Sequence, residues 1–193
     1  GDKIAVGVSG GKDSLALIAA LKNYQRYSDN NFDLCAVTID MGFNKENTEK
    51  YKDIKNYMED LNVPYYIEYT DIAQIIFDIR KEENPCSLCS KMRRGALNQK
   101  IIKLGYNKLA LGHHADDLIE TLLLSLFYEG RFSTFSPVSY MDKSKITLIR
   151  PMIYADEKLI ISIAKNLPVY KNPCPADKHT QREYIKTLLK NIQ

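Results

Sequence analysis

The chain has 193 residues, 45 % hydrophobic and 26 % charged, proportions that exclude a disordered or fibrous protein. Its net charge of +3 is too small to announce a nucleic-acid partner by itself. No apolar run approaches the ~20 residues of a membrane helix and no signal-peptide pattern opens the chain, so a cytoplasmic protein without a membrane partner is expected. The length suits a single domain over residues 1–193. Gly1 enters almost at once into a strand, which leaves room for a longer natural N-terminus.

In chain order, Ile4–Val8 is apolar on both faces, as a buried parallel strand should be. Ser9–Ser14 follows, and then Leu15, Leu17, Ile18 and Leu21 stripe a helix. Leu34–Ile39 reads as a second strand ending at Asp40-Met41-Gly42. Ile54, Tyr57, Met58 and Leu61 fall at i, i+3, i+4 and i+7, a helix packed on one face. Tyr65–Tyr69 is a third strand, and Ile72, Ile75, Ile76 and Ile79 repeat the helical stripe behind an Asp71 cap. Lys108–Leu111 forms a fourth strand, followed by a helix carrying Leu118, Ile119, Leu122, Leu123 and Leu126. Ile146–Ile149 supplies a fifth strand, and Asp156 caps a helix with Leu159, Ile160, Ile163 and Leu167. Thr180-Gln181-Arg182-Glu183 reads as a capping box before Ile185, Leu188, Leu189 and Ile192. The alternation predicts an α/β fold, a five-stranded parallel sheet with helices on both faces. Ligands on such sheets bind at the C-terminal strand ends.

Three segments fall at those ends. In Ser9-Gly10-Gly11-Lys12-Asp13-Ser14 the glycines let the backbone turn and expose its N–H groups. The following helix adds its positive end and Lys12 a full charge, which together make a phosphate cradle. It is not a Walker A loop, because Val6 stands where the first glycine belongs and Asp13 follows the lysine. The second segment is Asp40-Met41-Gly42. In the third, Gly112-His113-His114-Ala115-Asp116-Asp117, a glycine allows close approach of a nucleotide. The paired acids either hold Mg²⁺ against phosphates or cap the next helix.

The cysteines divide by position. Cys86-Ser87-Leu88-Cys89 stands at a helix start, where the dipole and nearby Arg and Lys favour thiolates, and Cys174 follows Pro173. Without a secretory context, such a set points to metal or redox chemistry rather than a disulfide. Three thiolates make either an incomplete tetrahedral zinc site or a cluster site with one open iron. Cys35, among Leu34, Ala36 and Val37, reads as a buried small hydrophobe. From Cys86 to Lys108 six basic residues meet no acidic one, and from Lys158 onward seven meet only Asp177 and Glu183. These blocks are either a surface for phosphate backbone or solvated helix faces.

Ser9–Ser14 resembles the pyrophosphate loop of the PP-loop ATP-pyrophosphatase superfamily. Gly-His-His-x-Asp-Asp at this distance resembles a second signature of PP-loop enzymes that act on tRNA. With Cys-Ser-Leu-Cys-x-x-x-Arg-Arg-Gly, Ile149-Arg150-Pro151 and a late Pro-Cys, the whole chain is similar to the tRNA 2-thiocytidine sulfurtransferase family. One departure is that Cys174 is followed by Pro175-Ala176-Asp177, where better-known members have a second cysteine. The 2-thiouridine group differs by added zinc-finger cysteines and by a lysine where this chain has Arg93.

The resemblance implies a fold of the adenine nucleotide alpha-hydrolase (Rossmann-like) type. It implies ATP-dependent thiolation of a tRNA pyrimidine, with a [4Fe–4S] cluster on Cys86, Cys89 and Cys174. ATP would meet Ser9, Gly10, Gly11, Lys12, Asp13 and Ser14, with Ile39, Gly112 and Asp117, and Mg²⁺ would lie near Asp13 or Asp117. Lys12, Asp116 and Arg93 are the catalytic candidates, and Lys91 and Arg94 the candidate tRNA contacts; the arginines read equally as solvated helix charges. Partners would be tRNA and a sulfur donor, either sulfide or a persulfide carrier, with room for a homodimer. Two other readings remain, a lysidine-synthetase-like ligase with a structural metal, and a non-enzymatic nucleotide- and metal-binding sensor.

Overall fold

The computed structural model describes residues 1–29, 31–43, 48–82, 85–170, 174 and 181–192. The chain runs β1 (Asp2–Gly7), α1 (Lys12–Tyr27), β2 (Phe32–Asp40), α2 (Thr48–Asp60) and β3 (Tyr65–Tyr69). A π-wound turn (Gln74–Ile79) leads to α3 (Pro85–Lys103), β4 (Lys108–Ala110) and α4 (Ala115–Glu129). Then come β5 (Val138–Met141), β6 (Ile146–Ile149), α5 (Glu157–Ala164) and α6 (Gln181–Ile192).

The sheet has six strands in the order β3-β2-β1-β4-β6-β5. Five of them are parallel, those expected from the sequence, and β5 adds an antiparallel edge on β6. β5 escapes the sequence reading because it is four residues long and half exposed, on a tight turn where Lys145 takes φ +56°. The stretch behind Asp71 is helical but wound with i→i+5 bonds, Arg80 N–H donating to Ile75 C=O. α5 stops at Ala164, so Leu167 packs on the core from the turn that follows. The capping box begins at Thr180, outside the described residues.

Alternate side chains of the central strands feed two cores. Ile4, Val6, Val8, Leu34, Ala36 and Ala110 pack under α1, α2 and α5, against Leu15, Ile18, Ile54, Met58 and Ile160. Ala5, Cys35, Val37, Leu109, Ile146 and Leu148 pack against Leu97 and Ile101 of α3. Helices therefore cover both faces, which is why the strands read as continuous apolar runs. The strand order reverses at β1, whose neighbours are β2 and β4. The loops after β1 and β4 leave the sheet on either side of that switch point and open a crevice at its C-terminal end.

Candidate active site

Gly10 sits at φ +85°, a conformation that costs little only without a side chain. Two serines wire the loop around it. Gly11 N–H donates to Ser9 Oγ (3.3 Å), Ser9 N–H to Ser14 Oγ (3.2 Å), and Ser14 Oγ–H to Gly11 C=O (2.9 Å). Gly11 is also the N-cap of α1, and no side chain caps that helix end. Its first N–H groups are left to an external acceptor, which is the local requirement for a phosphate site.

Lys12 is held by two carboxylates, with Nζ 2.9 Å from Asp13 Oδ1 and 2.9 Å from Glu157 Oε1. Burial pulls its pKa down, but the hydrogen bonds and charges of Asp13 and Glu157 outweigh this and hold it above 10.5. Lys12 draws the Glu157 carboxyl below its ordinary value in turn. Glu157 was not singled out from the sequence, because nothing in its local pattern marks a residue at the first turn of α5 as a partner of the loop.

Gly112 has a close neighbour within the chain itself. A Cβ there would lie 2.8 Å from Asp13 C=O and 3.1 Å from Ser14 N, so the close approach is that of the first turn of α1. This contact locks the β4 loop to the phosphate loop. His114 is buried beneath it, with Nε2 3.7 Å from Asp13 Oδ1 and 3.5 Å from Asp117 Oδ2, and Nδ1 3.4 Å from Asp116 Oδ2. Three acids from two loops thus gather on one imidazole. No pattern in the sequence marks this role of His114.

The carboxylates also do the structural work foreseen for them. Asp117 Oδ2 accepts from His114 N–H at the start of α4 (3.1 Å), and Asp117 Oδ1 accepts from Arg182 of α6 (3.0 Å). Asp116 Oδ2 accepts Glu157 N–H (2.9 Å) and so caps α5 rather than its own helix. His113 stacks on Phe135 at 4.9 Å, and the Arg150 guanidinium lies 4.7 Å over the other partner of that stack, the Phe135 ring. Burial, with Arg150, Arg182 and Arg94 outweighing Asp117, pushes the His113 pKa down to about 4 and keeps the ring neutral.

The thiols lie at the next strand end. Cys86 is exposed at the start of α3, Cys89 is half-buried, and Cys89 Sγ meets Met41 Sδ at 3.7 Å just beyond β2. Burial raises the Cys89 pKa, the Arg93 guanidinium one turn on opposes it, and the charges of Cys174 and Cys86 raise it further. The three cysteines therefore share one neighbourhood despite their separation in sequence. Cys89 is thus held as a neutral thiol, against the thiolate expected at a helix start, because burial outweighs Arg93; an iron or zinc centre would have to displace its proton on binding. Among the described residues, no group of three or more His, Cys, Asp or Glu is placed so that it could hold a metal ion. Cys35 is fully buried beside Tyr106, its pKa pushed up to about 11 mainly by burial, as its strand position implied.

Arg93, Arg94 and Lys91 are exposed on α3. Arg93 acts on Cys89 and Arg94 on His113 and Arg150, so both arginines belong electrostatically to the crevice. Ile39 lies on the α3 face of the sheet, partly buried. Ser9–Ser14, Asp40–Gly42 and Gly112–Asp117 thus follow the ends of β1, β2 and β4, with Cys89 against Met41. No described helix is long and apolar enough to cross a membrane.

The sequence profile of the PP-loop domain family matches residues 1–192. A tRNA-cytidine(32) 2-sulfurtransferase of Pelobacter propionicus is 40 % identical over 198 aligned residues, covering 100 % of this chain and 72 % of its own. That of Geobacter sulfurreducens is 38 % identical over 198 residues, covering 100 % and 76 %. Among solved structures, the U34-tRNA thiolase NcsA from Methanococcus maripaludis with its [4Fe–4S] cluster aligns at TM-score 0.80 and 26 % identity, over 99 % of this chain and 65 % of that one. An NH3-dependent NAD synthetase from Campylobacter jejuni, at TM-score 0.51 and 23 % identity over 98 % and 75 %, shares the fold. With the phosphate loop, the Gly-His-His-x-Asp-Asp segment and the strand order all in place, the chain belongs to the PP-loop family and, within it, to the tRNA-cytidine(32) 2-sulfurtransferases.

Proposed function

We propose that the chain is one PP-loop domain that catalyses ATP-dependent thiolation of tRNA, replacing the 2-oxygen of a cytidine in the anticodon loop by sulfur. The observation that carries this reading is Cys89, whose Sγ meets Met41 Sδ (3.7 Å) just beyond β2, the strand paired with β1 that leads into the phosphate loop, with Cys86 one turn before it on α3. An ATP loop alone fits many acceptors. Thiols beside it select a sulfur transfer.

ATP binds with its phosphates on Ser9–Ser14, its adenosine against Ile39 and Gly112, and Mg²⁺ at Asp13 or Asp117. The base oxygen attacks the α-phosphorus and pyrophosphate leaves, giving an adenylated base. A sulfur nucleophile then attacks C2, and AMP departs with the former base oxygen. Lys12 and the loop N–H groups stabilise charge developing on the phosphates, for which Lys12 exchanges its contacts to Asp13 and Glu157 for phosphate oxygens. Asp116, in reach of His114, assists proton transfer, and Arg93 with Lys91 and Arg94 orients the polyanionic tRNA. Cys86, Cys89 and Cys174 would hold a [4Fe–4S] cluster, which would supply an iron site free of protein ligands for sulfur from sulfide or a persulfide carrier. The setting is the cytoplasm, and the reading is compatible with either a monomer or a homodimer.

Anaerobic purification tests the metal and nucleoside analysis tests the reaction. The expected result is about four irons with labile sulfide per chain, and loss of 2-thiocytidine from tRNA in a Cys174→Ala strain whose protein still binds ATP. A colourless zinc protein, or full thiolation by Cys174→Ala, overturns the cluster assignment.

A further inference from the structure

A second lysine lies over the phosphate loop. Lys50, in the first turn of α2, lays its side chain across Gly10, where a Cβ would fall 2.8 Å from Lys50 Cε and 3.4 Å from its Nζ. The left-handed turn at Gly10 therefore serves two ends, reversing the chain after β1 and leaving space for this arm. The lysine is half-buried, and its ammonium lies 5.7 Å from the centroid of the Tyr51 ring.

Its electrostatic setting differs from that of Lys12. Asp13 and Glu157 neutralise Lys12 directly, whereas no described ion pair engages Lys50. Asp40 reaches Lys50 through its field, but the Asp40 carboxylate already accepts from Gly42 N–H (2.9 Å) and from the Tyr51 hydroxyl. Burial lowers the Lys50 pKa, the mark of an ammonium that has lost water without gaining a contact carboxylate. A polyanion on the loop supplies what is missing.

We propose that Lys50 is a second phosphate-binding lysine, which grips the pyrophosphate half of ATP from the α2 side of the loop while Lys12 approaches from the α5 side. This rests on the reading of Ser9–Ser14 as the ATP loop. Charge at Lys50 is strengthened as pyrophosphate separates from the α-phosphorus, because the leaving group gains negative charge within its reach. No pattern in the sequence marks Lys50. It is one of several lysines on an exposed helix, and only the packing of Ile54 and Lys50 on Gly10 distinguishes it.

Calorimetric titration of the full chain with ATP, AMP and inorganic pyrophosphate tests the assignment, using wild type, Lys50→Met and Lys50→Gln. Met keeps an apolar arm reaching Cε over Gly10, Gln keeps a shorter polar one, and neither carries the charge. The expected result is a loss of about 10- to 100-fold in affinity for ATP and pyrophosphate, the range for a hydrogen bond to a charged group. AMP affinity should stay within about twofold, and Lys50→Arg should recover most of the loss. Unchanged ATP affinity in both neutral variants overturns the proposal, as does an equal loss for AMP. Wild-type protein that binds neither ATP nor pyrophosphate overturns the loop reading itself, and the proposal with it.

Discussion

Gly112 shows how much of a site is decided at single residues. A side chain there would push backbone against backbone, at 2.8 Å from Asp13 C=O and 2.9 Å from its carbonyl carbon, and no rotamer change relieves that. Gly112→Ala is expected to cost about 1–3 kcal/mol and to weaken ATP binding by shifting the start of α1. Urea unfolding and nucleotide titration check both effects. Gly95 is the matched control. It lies inside α3 and a Cβ there meets nothing within 4 Å, so Gly95→Ala should stabilise by about 0.5–1 kcal/mol through reduced backbone entropy. The sequence makes the two glycines look alike, each beside a conspicuous motif. Their opposite responses come from neighbours distant in the chain.

Among the elements, α6 is tied to the site through α4. Arg182 bonds Asp117 (3.0 Å), Glu120 (3.3 Å) and Thr121 (3.0 Å), and one turn later Lys186 approaches Glu120 at 3.7 Å. Glu120 is buried, and burial raises its pKa against the opposing charges of Lys186 and Arg182. Arg182→Gln removes the nearer cation, so the Glu120 pKa rises further and more of its ionised form goes unpaired. Since Arg182 is itself over a third exposed, the expected destabilisation at neutral pH is about 1–2 kcal/mol rather than the larger cost of a fully buried pair. A carboxyl whose folded pKa lies above its unfolded value is stabilising only when protonated. The deficit of the variant should therefore be full above its raised Glu120 pKa and shrink as pH falls from there toward the ordinary carboxylate value. Thermal melts of both proteins between pH 4 and 8 measure that difference, and a deficit independent of pH would assign the effect to packing.

At the scale of the whole molecule, stability should follow position in the sheet. β1, β2 and β4 are buried on both faces between the two cores, whereas β5 pairs on one side and is half exposed. Amide exchange should be slowest at Val6, Ala36 and Ala110 and fast along β5. The phosphate loop then hangs from the most stable strand. Its partners sit on helices that join the sheet by fewer contacts, which suits a loop that must exchange ion pairs when ATP arrives. Exchange equally slow in β5 would contradict this ordering.

The five parallel strands, most of the helices and the phosphate loop are legible along the chain. Each rests on local rules, apolar runs for strands buried on both faces, 3.6-residue stripes for helices, and glycines where the backbone must turn. The sequence also marks Cys86, Cys89 and Cys174 as one set and Cys35 as a core residue. Which groups meet is set by packing in three dimensions. The edge strand β5, the Glu157 partner of Lys12, the burial of His114 among Asp13, Asp116 and Asp117, and the arm of Lys50 over Gly10 are absent from any local pattern. The physical reason is that charge pairing and burial act through space at a few ångströms, while spacing along the chain carries information only within one element. The switch point at β1 converts one kind of information into the other, because it brings the ends of β1, β2 and β4 to a single crevice.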